Sequence, residues 1–342
     1  MPAVRREKLA TVDAFVVFDL DHAETSCGLV RQAPKILVDG AALLARSQTY
    51  QFASFEMQVG GASAGINTTS SERQVAVDRF VEEIRPMVAD GRFLPDPGKG
   101  VTAGDLSPLR AVDPRDARYF ELHDPLVALG LAEAGTAALG GLDGRTAAVE
   151  CFDSGGPLLV RELAERGARV VAVGTSSGAA CSPEGFDPAQ VAGCWDQHGP
   201  DLVAQLGPPV TPASELLACE ADVLYVGSRA GVLDHVGAQQ VQAGAVVPTG
   251  PVPVTAKALA VLRRRGVTVL PDFLTTAGAV FAAHPPPGHD LAEIRADAAR
   301  RVAGALGEVL GHEDGPLLAA CYRAEAFLRS WCPVLPFGRP LA

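Results

Sequence analysis

Lysine is nearly missing: Lys8, Lys35, Lys99 and Lys257 are the four in 342 residues, while arginine is abundant. Chemistry that needs an amine of lowered pKa therefore has few places to sit. Positive charge is short overall, with 29 basic residues against 40 acidic ones and a formal charge of -11. That balance argues against nucleic acid or an anionic membrane as partner, since both call for a basic face. Small molecules and proteins are the expected partners. No apolar run approaches the roughly 20 residues of a spanning helix. The stretch Ala14 to Phe18 is too short for a secretory segment and runs at once into Asp19, Asp21 and His22, so the expected location is the cytoplasm. The seven cysteines are odd in number and lack any C-x-x-C pair. Reduced thiols and no metal are the expectation. His22, His123, His198 and His235 form no ligand-spaced pair either.

What is present suits a large folded core: 48% of the residues are hydrophobic, and the length suffices for about two domains. The first 120 or so residues alternate β-rich runs with helical patterns. The clearest helix starts near Ser71, where Ser71 and Gln74 have capping-box spacing and Val77, Phe80, Val81, Ile84 and Val88 recur on one face; Pro86 should bend or end it. From Gly144 the pattern is that of a βαβ unit: a strand over 146–150, a turn at Gly155-Gly156, a helix opened by Pro157 and a strand over 169–173. Further strands over 223–226, 245–247 and 267–270 predict a parallel sheet covered on both faces. After Pro285-Pro286-Pro287-Gly288 come two helical segments, 291–310 and 316–330. The reading is α/β with two domains: an N-terminal α/β substrate and oligomerisation domain (1–125), a Rossmann-like domain (126–284), and C-terminal helices (285–342) packing back at the hinge.

Two runs carry a family resemblance. Ala45-Arg46-Ser47-Gln48-Thr49-Tyr50-Gln51, followed by Gly60-Gly61-Ala62-Ser63-Ala64-Gly65-Ile66, resembles the stretch of the glutamate/leucine/phenylalanine/valine dehydrogenases that holds two active-site lysines. One of those lysines follows Thr-Tyr and the other follows Gly-Gly-x; Gln51 and Ser63 stand in their places at the same spacing. Leu94-Pro95-Asp96-Pro97-Gly98-Lys99-Gly100 is similar to the loop that bears the family's proton-shuttling aspartate, with Gly98 at the aspartate's position. Gly144 to Val149 and Ala168 to Val173 resemble the first two strands of its nucleotide domain. In that frame the dinucleotide fingerprint reads Cys151-Phe152-Asp153-Ser154-Gly155-Gly156, keeping only the last glycine; Thr175 stands at the ribose-binding acid, and Val127 and Pro251 at a threonine and an asparagine near the nicotinamide.

The resemblance thus implies a divergent member without the catalytic lysines, the catalytic aspartate or the fingerprint. Oxidative deamination needs a cation for the substrate carboxylate, a lysine to activate water and a carboxylate to move protons. The expectation is a regulatory or binding subunit, a pseudoenzyme without NAD(P) or metal, that assembles with itself or with an active paralogue. The alternative is an enzyme with new nucleotide-independent chemistry on an amino- or keto-acid-like metabolite in the interdomain cleft. Its candidate catalytic residues are Lys99, Ser63 and Asp96, with Gln51, Gln58 and Asn67 as substrate contacts. A third reading is an NAD(P)-dependent dehydrogenase with unusual contacts, its cofactor-binding residues unassigned because the corresponding positions, Cys151, Asp153, Gly156 and Thr175, are degenerate. Cys151, at a strand end, reads as a packing residue before an activated thiolate.

Overall fold

The computed structural model describes residues 4–150, 152–336 and 338–341. The described residues form two compact units, one drawn from residues 4–115 and 321–341, the other from residues 116–320.

The first unit is built on a mixed sheet in the order β1 (Arg5–Lys8), β2 (Ala14–Phe18), β4 (Gly60–Asn67), β3 (Ser26–Ala33), β5 (Phe93–Pro97). β3 runs parallel to β4 and β5, while β2 is antiparallel to β1 and β4. Its helices are α1 (Val38–Ser54), α2 (Arg73–Ala89) and the short α3 (Ala103–Leu106). Strand alternation sends Val16, Phe18, Val30, Ala64 and Ile66 to one face, where Val77, Phe80 and Ile84 of α2 meet them. Phe15 and Val17 point to the other face, against Ala41 and Ala45 of α1. Each buried large side chain contributes about 1.5–3 kcal/mol. The expected start of α2 differs. Ser70–Glu72 winds as a 3-10 turn, the Ser71 hydroxyl pairs with that of Thr69 at 3.1 Å, and α2 begins at Arg73 with no side-chain cap. Pro86 falls in its last turn.

The second unit is a doubly wound sheet in the order β11 (Thr268–Val269), β10 (Ala245–Pro248), β9 (Val223–Val226), β6 (Thr146–Val149), β7 (Arg169–Thr175), β8 (Gly178–Cys181). All neighbours are parallel except β8, an antiparallel edge strand that the sequence pattern did not reveal. The helices are α4 (Tyr119–Leu139), α5 (Gly156–Glu165), α6 (Pro188–His198), α7 (His235–Gln240), α8 (Ala256–Arg264), α9 (Asp272–Thr275), α10 (Gly278–Ala283) and α11 (Leu291–Leu310); α12 (Pro316–Leu328) begins in this unit and ends in the first. α4 is one uninterrupted helix across the expected boundary at 125, and α11 packs along it, which is why the units divide at 115 rather than 125 and why 285–320 stays with the sheet. A disulfide joins Cys181, at the end of β8, to Cys219, correcting the expectation of reduced thiols throughout. The sheet edge brings together two cysteines that are 38 residues apart in sequence, a proximity spacing does not encode.

An ion cluster ties α4, α5 and α11. Glu162, 2% exposed, accepts from Arg166 Nη1 at 2.8 Å and Arg295 Nη2 at 2.7 Å, while Arg166 Nη2 donates to Glu133 at 2.8 Å. Burial raises the Glu162 pKa, but the hydrogen bonds and charges of Arg295 and Arg166 outweigh it and hold the carboxyl below its usual 4.5. A carboxylate held low in the folded state stabilises above its unfolded-state pKa and loses that contribution as pH falls through the folded value. The urea midpoint is therefore expected to drop from pH 5 to pH 3, and less so in Glu162→Gln. An equal drop in the variant would remove Glu162 from the account.

Candidate functional site

The residues singled out from the sequence fall into two groups, one in each unit. In the first unit the register pairs Leu29 of β3 with Ser63 of β4 on one side and with Asp96 of the edge strand β5 on the other, so Ser63 and Asp96 flank Leu29. α1 is tied to this sheet by the Thr49 hydroxyl, which accepts from the Gly61 N–H at 2.9 Å, and it carries Gln51 at its buried C-terminal end. Ser63 is fully buried and its hydroxyl donates to the Leu29 carbonyl at 3.4 Å. Asp96 is held by Arg115 Nη1 at 2.8 Å; Arg115 in turn binds Asp113 and donates to the Pro95 carbonyl at 2.9 Å.

Gly98 lies directly beyond β5. Its N–H donates to the Val30 carbonyl at 2.9 Å, and a Cβ at that position would stand 2.9 Å from that same oxygen and 3.1 Å from Arg31 Cγ. Backbone on one side and the Arg31 stem on the other leave no room for a side chain at 98.

The other candidates are not gathered with these. Lys99 is exposed past the strand end, and its carbonyl accepts from the Gln32 N–H at 2.8 Å. Gln58 is exposed in the turn between α1 and β4. Asn67 serves the scaffold, since its Oδ1 accepts from the Ile36 N–H at 2.7 Å and fixes the segment leading into α1. Arg46 and Tyr50 pair within the first unit, with Asp19 at 2.7 Å and Glu325 at 3.2 Å.

In the second unit the strand order reverses between β6 and β9, the position at which doubly wound sheets open a ligand crevice at the strands' carboxyl ends. Gly155 and Gly156 open α5 just after β6, with Asp153 accepting from the Gly155 N–H at 3.0 Å. Cys151 lies outside the described residues. The Thr175 hydroxyl ends β7 by donating to the Pro200 carbonyl at 2.7 Å and accepting from the Ser177 N–H at 3.1 Å. Val127 and Pro251 are both half-buried.

Sequence reasoning passed over three residues here. Glu150, one position past β6, bridges to the β9 end by accepting from the N–H groups of Gly227 and Ser228 at 3.1 and 3.2 Å and from the Ser228 hydroxyl at 2.6 Å. Thr249, one position past β10, has a buried hydroxyl with no partner among the described residues. Val252 is buried at φ 52°, a left-handed conformation that is an outlier for a β-branched residue and costs about 1–3 kcal/mol. Strain of this kind concentrates at functional sites. A signal existed for Glu150 alone: an acid directly after an apolar strand.

The profile of the Glutamate/Leucine/Phenylalanine/Valine dehydrogenase family matches residues 128–285, which span the whole doubly wound sheet. Over that stretch the chain is similar to that family. Glutamate dehydrogenase of Thermotoga maritima is 26% identical over 75% of this chain and 68% of its own length. NAD-specific glutamate dehydrogenase A of Halobacterium salinarum is 25% identical over 80% of the chain and 69% of its own. The hetero-hexameric glutamate dehydrogenase of Thermus thermophilus, solved in a leucine-bound form, shares the fold with a TM-score of 0.78 at 23% identity, covering 98% of this chain and 91% of that one.

These relatives overturn the expectation that no nicotinamide dinucleotide is bound: family members at this distance are named for NAD. The crevice residues fit such a group. The switch point is present, α5 opens on two glycines, and the unpartnered Thr249 hydroxyl is buried at the strand ends where a ligand's polar groups lie. Among the described residues no helix is long and apolar enough to cross a membrane.

Proposed function

We propose that this chain is an amino-acid-dehydrogenase-fold subunit that binds an amino or keto acid and a nicotinamide dinucleotide without turning the acid over at a dehydrogenase's rate, serving as a binding or regulatory partner in an assembly. The observation that carries the reading is Gly98. The position that resembles the family's proton-shuttling aspartate has no side chain, and the Val30 carbonyl and Arg31 stem occupy the space one would need. Gln51 and Ser63 support it, since neither a carboxamide nor a buried hydroxyl bonded to a carbonyl exchanges protons near neutral pH. In the second unit Gly155, Gly156 and the Thr249 hydroxyl would hold the dinucleotide, which when bound supplies a hydride acceptor.

Amino-acid oxidation by the purified chain, with L-glutamate and L-leucine and with NAD+ and NADP+, is expected to run at least about 10³-fold below an ordinary dehydrogenase rate, the contribution of positioned acid–base groups being about 10²–10⁴. NADH titration by nucleotide fluorescence is expected to saturate. A kcat in the usual range of about 1–10³ s⁻¹ would sink the reading. The assembly part is tested by native mass measurement of the chain alone and co-expressed with a catalytic relative from the same cell. A monomer in both conditions counts against it.

A further inference from the structure

Arg31 is the one arginine of β3, and it lies on the side of the strand shared with Leu29, the side on which Ser63 and Asp96 flank that residue. Its Nε and Nη2 are both sealed from solvent and have no hydrogen-bond partner among the described residues. A guanidinium cannot escape this by deprotonating at physiological pH, so the N–H groups of two nitrogens on one edge lie buried without an acceptor among the described residues. Leaving buried donors without an acceptor is costly, more so on a charged group. Burial also pushes the Arg31 pKa down.

The surroundings do not supply the missing acceptor. Asp96, on the adjacent strand, is bound by Arg115, and Asp113 is bound by the same guanidinium. Gly98 packs its bare Cα against the Arg31 stem, so the side chain is seated by the very position at which the family resemblance sets a carboxylate. Where that resemblance puts a negative charge, this chain has none and offers a positive one close by.

Which two nitrogens are unpaired narrows the ligand. Nε and Nη2 form one edge of the planar guanidinium, the pair of parallel donors that matches the two oxygens of a carboxylate in bidentate fashion. We propose that Arg31 is a binding residue for the carboxylate of a small organic acid, its Nε/Nη2 edge receiving both oxygens. The inference rests on the ligand-binding reading above and names the residue that would do the binding. Arg31 is half-buried as a whole, so a rotation of its long side chain brings that edge to an incoming ligand.

The test is calorimetric titration of the full chain with L-leucine, L-glutamate and 2-oxoglutarate, with L-leucinamide as the analogue lacking the carboxylate, and with sodium phosphate. The wild type is expected to bind at least one of the carboxylates and to bind leucinamide no better than background. Arg31→Met should weaken that binding about 10- to 100-fold, as loss of hydrogen bonds between charged groups does. Arg31→Lys, keeping the charge but not the fork, should fall between. Without ligand the melting temperature of Arg31→Met should equal or exceed that of the wild type, because an unpaired buried charge has been removed; a residue with a merely structural role would lower it. If the wild type and Arg31→Met bind the same carboxylate equally, the assignment of Arg31 fails while the ligand-binding reading stands. If the wild type binds none of the acids at about 10 mM, both fail. Phosphate bound in preference to every acid, with loss in Arg31→Met, overturns the carboxylate assignment.

Discussion

Arg115→Leu is expected to cost the first unit about 3–5 kcal/mol, the usual consequence of removing one partner from a buried ion pair. Arg115 and Asp113 have side chains only 3% exposed. The guanidinium donates to Asp113 through Nε and Nη2 at 3.1 and 2.7 Å, to Asp96 through Nη1 at 2.8 Å and to the Pro95 carbonyl at 2.9 Å. Leucine fills much of the volume but leaves the Asp113 carboxylate in a dry environment with its charge uncompensated. Urea unfolding followed by circular dichroism measures the loss. Pairing the change with Asp113→Asn should recover part of it, since deleting both members of a buried pair is better tolerated than deleting one. A loss under about 1 kcal/mol for Arg115→Leu would mean that water reaches the cluster and that the pair belongs with weak surface contacts.

Gly278→Ala sets two effects of opposite sign against each other. Helix propensity alone favours alanine over glycine by about 1 kcal/mol. Packing opposes it, because a Cβ at 278 would lie 1.9 Å from the Leu126 carbonyl oxygen and 2.4 Å from the Val127 nitrogen. Both are backbone atoms of α4, with no rotamer by which to move away, so α10 must shift off α4. Overpacking of this kind costs about 1–3 kcal/mol and occasionally more; with rigid backbone on the far side the upper end applies, for a net loss of about 2 kcal/mol or more. A melting temperature at or above the wild type would show that the two helices separate freely.

The second unit was the more legible half. Its strands are short apolar runs spaced by helical patterns, and parallel strands buried on both faces announce themselves in that way. Hence Val223–Val226 and Leu291–Leu310 stand where the pattern puts them. β8 was not visible because Gly178 to Cys181 is short and small, and its place is set by pairing with β7. In the site the limit was different. Spacing identified positions 51, 63 and 98, but not what fills the space around them. Arg31 is unremarkable as a letter between Val30 and Gln32; it gains meaning only because Gly98 packs against its stem and no acceptor among the described residues reaches its inner edge. Lys99 shows the converse, a rare residue type that drew attention by composition and proved to be solvated.

The first unit is interrupted in sequence by the second, and it is completed only by residues 321–341. Those residues supply acceptors and donors to α1: Glu325 receives the Tyr50 hydroxyl, Arg323 donates to the Ser54 carbonyl at 2.8 Å, and the Gly338 carbonyl accepts from Arg46 at 2.6 Å. On the ribosome, at about 5–20 residues per second, some 10–40 s separate the emergence of residue 115 from that of residue 321. The doubly wound unit can finish folding in that interval while the N-terminal sheet waits, its α1 still lacking three of its polar partners. A nascent chain stalled before residue 321 should thus carry one protease-resistant core, of residues 116 to about 320, behind an N-terminal segment that proteases still cut.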